Sequence, residues 1–208
     1  MPVSYQQATS LYTPRGLRKY LTADERARFL RAAWSCPRAD LRALCLLLVH
    51  TGCRISEALA LTAASIEPAS GFIAVRSLKK RKRVIVIREV PAPPDLLREL
   101  ATVHALDDGP KDRRLWPLSR SRAWSLVKQL MREAGIAEGP QATPKGLRHG
   151  FGVHAIQSGI PLNLVQRWLG HARMETTAIY LQVMGDEERQ IAARMWIAPR
   201  DEPVAPRI

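Results

Sequence analysis

Four side chains between Thr143 and Tyr180 could act together on one phosphate: Lys145, Arg148, His171 and Tyr180. Two are cations, one is a hydrogen-bond donor that titrates near neutrality, and one is a phenol able to attack phosphorus. Thr143 is a good N-cap and Pro144 suits the first helical position. The helix they open is expected to run to about Ser158, with Gly159 as its stop. Lys145 and Arg148 are three apart, so they share a face near the end that carries unsatisfied N–H groups and the positive pole of the macrodipole. That combination suits an anion, and a phosphate best. A second short helix is expected from Pro161 to Leu169, stopped by Gly170. His171 then falls on the turn beyond it, and Tyr180 nine residues later in a segment of helical character.

The elements that must position these groups are mostly helical. Thr22-Ala23-Asp24-Glu25 reads as a capping box opening a helix to about Trp34. Pro37 interrupts, and a helix from near Asp40 carries Leu41, Leu44, Cys45, Leu48 and Val49 on a wide apolar face, ending at Thr51-Gly52. Arg54 then sits at a junction, followed by a short helix from Ile55 to Leu61. Between Gly71 and Pro91 the period changes. Phe72–Val75 and Val84–Ile87 are β-branched runs flanking the basic segment Arg76 to Arg83, which predicts a hairpin with a cationic turn. Pro93-Pro94 opens a helix to about His104, residues 106–114 form a loop, and Leu115-Trp116-Pro117 a short buried segment. Ser119 or Ser121 caps a helix to Ala134, on which Trp124, Val127, Leu130 and Met131 form an apolar stripe read as core. Arg120, Arg122 and Lys128 on that helix could meet DNA phosphate or simply face solvent. Beyond Tyr180, residues 186–196 read as an acidic-to-basic helix with an apolar side of Ile191, Met195 and Trp196. The expected architecture is mainly α with a small antiparallel β-sheet: residues 1–19 an N-terminal arm, 20–198 one catalytic domain, 199–208 a flexible tail.

Composition narrows the partner. A net charge of +13 and a pI near 10.5 point to a polyanion, with a basic solubility surface as the plainer reading. Cys36, Cys45 and Cys53 have no metal-ligand spacing and are expected to be reduced thiols, Cys45 in the core. No signal-peptide run, membrane span, nucleotide-binding glycine loop or metal motif occurs, so no metal, cofactor or membrane is expected. A cytoplasmic, nucleoid-associated location follows.

KGLRHGF followed by LGHARMETTAIY resembles the catalytic signature of the tyrosine recombinases, or phage-type integrases. In that family a His or Lys precedes an Arg by three residues, a Leu-Gly-His triplet follows, and then the nucleophilic Tyr. The family's first Arg lies in a T-G-x-R-x-x-E segment, matched by Thr51-Gly52-Cys53-Arg54-Ile55-Ser56-Glu57. Three separated segments agree in order and spacing, and the resemblance spans roughly Leu21 to Val183.

The resemblance implies strand cleavage and rejoining without an added energy source. Tyr180 would form a 3′-phosphotyrosyl bond and release a 5′-hydroxyl, storing the ester energy for religation. Arg54 and Arg148 would hold the non-bridging oxygens, and surrounding cations would favour the phenolate. His171 would bond the phosphate or assist proton transfer. Lys145 stands where the family often has His; it suits phosphate binding better than general-base work at neutral pH. The family also places a catalytic Lys on a β-hairpin whose second strand ends in Arg-x-Val-Pro, as Arg88-Glu89-Val90-Pro91 does here. Lys79 is the preferred candidate and Lys80 the runner-up, with Lys80, Arg81, Lys82 and Arg83, together with Arg120 and Arg122, as DNA contacts. His149 and His154 are read as structural.

Typical members carry an N-terminal helical domain that clamps the far side of the duplex, and nineteen residues cannot make one. The chain is therefore expected either to be minimal or to be part of a longer product. The expected partner is double-stranded DNA, with self-association on it from dimer to tetramer and possible accessory proteins. A type IB topoisomerase-like nicking and closing enzyme would use the same chemistry without synapsis. A non-cleaving DNA-binding accessory protein would use only the cations, and Tyr180 argues against it. A basic RNA-binding module lacks its usual signatures.

Overall fold

The computed structural model describes residues 10–77, 86–182 and 193–196. The order is α1 (Ala23–Trp34), α2 (Ala39–Thr51), α3 (Ile55–Ala58), β1 (Ile66–Glu67), β2 (Phe72–Arg76), β3 (Ile87–Pro91), α4 (Pro94–His104), α5 (Arg120–Glu133), α6 (Pro144–Gln157), α7 (Leu162–Leu169) and α8 (Glu175–Ala178). Short 3-10 turns cover Ala63–Ser65, Ile179–Gln182 and Arg194–Trp196. The architecture is mainly α with a small antiparallel sheet.

Local sequence explains the helix limits. Thr22 and Glu25 cap α1 reciprocally, Ser119 accepts from Arg122 N–H at the start of α5, and Thr143 accepts from Gly146 N–H at the start of α6. Gly52 and Gly170 end α2 and α7 in the left-handed region, where a side chain would be strained. Helix α2 is the central pillar. Ala43 through Val49 are buried on every side, and α1, α4 and α6 pack around it. The apolar face is thus broader than a stripe, as suits a helix enclosed by neighbours.

The sheet has order β1-β2-β3, all antiparallel, with Ile66 opposite Ile73, Val75 opposite Arg88 and Phe72 opposite Pro91. The described part of the second hairpin strand is Ile87–Pro91, so the strand runs through the Arg-x-Val-Pro segment, with Arg88 and Val90 inward and Val86 and Ile87 exposed; Val84 and Ile85 lie outside the described residues. The short strand Ile66–Glu67 was not foreseen, because two residues give no readable period. Helix α3 is also shorter than the expected Ile55–Leu61.

Apolar side chains gather in two clusters. The large one joins α1 to α5, the sheet and Trp116, whose indole N–H donates to the Asp40 carbonyl at 2.8 Å. Cys36, Cys45 and Cys53 are all buried free thiols in it. The small one contains Leu11, Tyr20, Val153, Ala155, Val165, Leu169, Ile179 and Tyr180. The lead-in from Ser10 is folded against the domain: Leu11 is fully buried and Tyr12 bridges to Arg18. Residues 1–9, the tail, and most of the helix expected at 186–196 lie outside the described residues.

Candidate active site

Arg148 lies on the first turns of α6 and points into the molecule. Its guanidinium donates to the Gly52 carbonyl at 2.8 Å and to the Leu169 carbonyl at 2.6 Å. It therefore ties together the C-terminal ends of α2 and α7, where carbonyls lack helical partners. Burial, and then the nearby Arg54, lower its pKa to about 10. Gly52 serves this bond twice. Its φ of 60° turns the chain, and a Cβ there would stand 2.5 Å from the Phe151 ring.

Arg54 caps α3 and donates to Glu57 Oε1 at 2.7 Å; its backbone N–H reaches Glu57 Oε2 at 2.9 Å. Arg54 is thus ion-paired with Glu57, and it also lines a cavity. Glu57 is buried and also accepts from Arg88 Nη2 at 2.6 Å. Arg88 in turn donates through Nε to the Trp168 carbonyl at 2.7 Å. Burial pushes the Glu57 carboxyl up, but Arg88 and Arg54 outweigh it and hold the pKa below its usual value.

Tyr180 is 1% exposed, in the 3-10 turn after α8. Its ring lies against Gly152, where a Cβ would come within 2.5 Å, and is stacked near His171 with centroids 6.2 Å apart. His171 Nδ1 bonds Thr177 Oγ1 at 2.9 Å. The Tyr180 hydroxyl meets His149 Nδ1 at 3.3 Å. Its pKa is raised to about 12 by burial, which outweighs the opposing pull of Arg148 and Arg54. The surrounding cations do favour the phenolate, but burial outweighs them in the free protein and the phenol stays protonated.

Arg54, Lys145, Arg148, His171 and Tyr180 all line one cavity of about 860 Å³. Five of the six predicted catalytic residues are therefore brought together, from α3, α6, the α7–α8 turn and the 3-10 turn. Lys79, with Lys80, Arg81, Lys82 and Arg83, lies outside the described residues. Arg120 lines the cavity; Arg122 is exposed and does not. Lys128 pairs with Glu138 and sits 5.6 Å above the Trp124 ring.

Several lining residues were not foreseen. Trp124, read as core, is 42% exposed and faces the cavity, because the buried stripe of α5 is Ala123, Leu126, Val127, Leu130 and Met131. Its spacing of four from Arg120 was the available signal. Lys19 and Arg173 add cations. His149, read as structural for want of a partner, contacts Tyr180; it lies one turn beyond Lys145, on the same face. Among the described residues the cavity lining contains no Asp or Glu.

The sequence profile of the phage integrase family matches residues 19–186. The tyrosine recombinase XerA of Pyrococcus furiosus is 32% identical over 189 residues, which cover 87% of this chain and 63% of that protein. The chain thus spans rather less than two-thirds of this relative's length. A crystal structure of XerA recombinase superposes with a TM-score of 0.71 at 26% identity, over 87% of this chain and 65% of that one. XerH site-specific recombinase, in a pre-cleavage complex with its difH substrate, shares the fold with a TM-score of 0.68 at 24% identity, over 86% and 54%.

Proposed function

The chain belongs to the phage integrase family of tyrosine recombinases, and from that membership and the cavity's geometry we propose that it is a site-specific DNA recombinase working through a 3′-phosphotyrosyl intermediate. The observation that carries the reading is the convergence of Arg54, Arg148, Lys145 and His171 on the cavity that also holds the Tyr180 phenol. Among the described residues the charged groups of the lining are all cations, which suits a phosphodiester.

In this reading Arg148 and Arg54 meet the non-bridging oxygens. Both are already fixed by carbonyls or by Glu57, and the remaining N–H groups of each fork are left for phosphate. Such preorganised donors stabilise charge as it builds in the transition state, and losing either should raise the barrier by about 3 kcal/mol. Lys145 sits exposed on the first turn of α6, where helix dipole and side chain act together on an anion. Tyr180 attacks phosphorus, the 3′-phosphotyrosyl ester forms, and the 5′ oxygen leaves with a proton supplied by a hairpin lysine, Lys79 by preference. The fixed arginines leave the phosphate in one pose. The buried, protonated Tyr180 must swing and lose its proton for attack, so the described state is a resting one. The partner is duplex DNA, bound with strong salt dependence and by several subunits together; XerH on its difH substrate supports that choice.

Covalent trapping tests the reading. The protein is incubated with pooled nicked-duplex substrates, denatured in detergent and examined for a protein–DNA adduct beside Tyr180→Phe. The expected result is an adduct in the parent alone, mapped to Tyr180, with DNA binding kept in the variant. Adduct formation by Tyr180→Phe would remove Tyr180 as nucleophile. Salt-sensitive binding with no adduct in the parent would favour a non-cleaving DNA-binding role.

A further inference from the structure

The geometry points to His149 as a further catalytic residue: the base that takes the proton from Tyr180 as the phosphotyrosyl bond forms. The inference rests on the recombinase reading and adds an assignment to it.

A phenol that attacks phosphorus must give up its proton, and the acceptor must reach the hydroxyl oxygen. Among the described residues lining the cavity no carboxylate is present. Lys19, Arg54, Arg120, Lys145, Arg148 and Arg173 are cations, which donate and do not accept. Two imidazoles remain. His171 lies nearly parallel to the Tyr180 ring, at 17° between planes, and its Nδ1 is engaged with Thr177. His149 is tilted at 57° to the Tyr180 ring, with Nδ1 within 3.3 Å of the hydroxyl. Position and direction both select it.

Its surroundings keep it ready. Burial, then Lys145 and Arg148 on its own helix and Lys19 from the lead-in, lower its pKa to about 3. The ring is therefore neutral at any physiological pH and able to accept. The same cations are those an incoming phosphodiester would neutralise, so substrate binding removes the charge repulsion that adds to burial in making His149 a weak base. Its basicity rises when the substrate arrives and not before. The proton balance is simple. The Tyr180 proton passes to His149 Nδ1, the Oη–P bond forms, the P–O5′ bond breaks, and the 5′ oxygen takes a proton from the hairpin lysine or from water. Religation runs the steps backwards, with His149 returning its proton to Tyr180. Lys145, at the position often held by His, is thereby freed to bind phosphate alone.

The test uses the full chain and a suicide duplex in two forms, one ordinary and one with a 5′-bridging phosphorothiolate, whose sulfur leaves without being protonated. The variants are His149→Gln, which can hydrogen-bond but not take a proton, and His149→Ala with added imidazole. We expect single-turnover adduct formation by His149→Gln to fall about a hundred- to ten-thousand-fold. DNA affinity should stay within about threefold, the phosphorothiolate should not restore the rate, and imidazole should partly rescue His149→Ala. Adduct formation by His149→Gln at the parent rate, or its restoration by the phosphorothiolate, would overturn the assignment. If the variants fold poorly, the parent decides alone. Its rate on the phosphorothiolate should level off above about pH 7, as an imidazole base requires, and a rate climbing to pH 10 would overturn it. Absence of an adduct in the parent on either substrate would instead remove the recombinase reading itself.

Discussion

Arg54 and Arg148 are fastened to the large helical core, by Glu57 and by the carbonyls of Gly52 and Leu169, whereas Tyr180 rests in the small cluster and touches its neighbours through ring packing and His149. The two sides of the cavity thus meet opposite demands. In the proposed reaction the cations must already be aimed where charge will build, since donors that reorganise during reaction stabilise it less. Tyr180 must in that reaction travel from a buried, protonated berth to an in-line position. Contacts that hold it must be strong enough to define the berth and weak enough to be exchanged for substrate contacts. A small apolar cluster with a single glycine-shaped slot does that; a buried ion network would not.

The largest expected effect comes from breaking the fastened side. Glu57 lies between Arg54 and Arg88, and Arg88 is 7% exposed with its Nη1 unpaired. Glu57→Ala leaves a buried guanidinium without its counter-charge. Unfolding by urea should show a loss of about 3–5 kcal/mol, along with loss of adduct formation, because Arg54 loses its anchor as well. A cost under about 1 kcal/mol would mean the network is solvated and the contrast between the two sides is false.

The nucleophile side should break more gently. In Gly152→Ala the new methyl overlaps the Tyr180 ring, 2.5 Å from Cζ. Overpacking costs roughly 1–3 kcal/mol, and the better helix propensity of Ala returns up to about 1 kcal/mol. A net loss near 1–2 kcal/mol is expected, with Tyr180 pushed from its berth and its pKa falling from about 12 towards the ordinary value. Spectroscopic titration of the tyrosines reads this directly. DNA binding should be unchanged, since no cation moves. An unaltered titration would show that the slot is not what keeps the phenol buried.

How much of this was legible in the sequence follows from what each feature depends on. Thr22, Ser119 and Thr143 cap their own helices, and Gly52, Gly159 and Gly170 turn their own chain, so those limits are written locally. The five described catalytic candidates could be picked out because their order and spacing form a pattern, and the fold brings them to one cavity. What was missed depends on distant partners. Only the packed fold shows that α5 turns Trp124 to the cavity, that Arg88 reaches Glu57 across 31 positions, or that His149 meets Tyr180 across the same separation. The raised pKa of Tyr180 belongs to this class too: residue types suggested stabilising cations, and the burial that outweighs them is a property of the packed chain.

The smallest effect separates the two sides by pH. Glu57 has its pKa held below the ordinary value, so its contribution is full above the ordinary carboxylate pKa and is lost progressively as pH falls from there through the folded pKa. His149 behaves differently. Its pKa is about 3 when packed and near 6.5 when exposed, so between these values an opened berth binds a proton that the closed one refuses. Lowering the pH through that window therefore favours opening around Tyr180 while the Glu57 network is still charged and intact. Amide exchange, corrected for its intrinsic pH dependence, should show protection of residues 179–182 falling by up to about tenfold per pH unit below about 6.5. Protection around Arg54 should hold until more acid conditions. His149→Gln removes the titrating group, so the slope at 179–182 should flatten in that variant. Equal slopes in parent and variant would assign the opening to another group, and simultaneous loss on both sides would mean that the two halves of the cavity open as one unit.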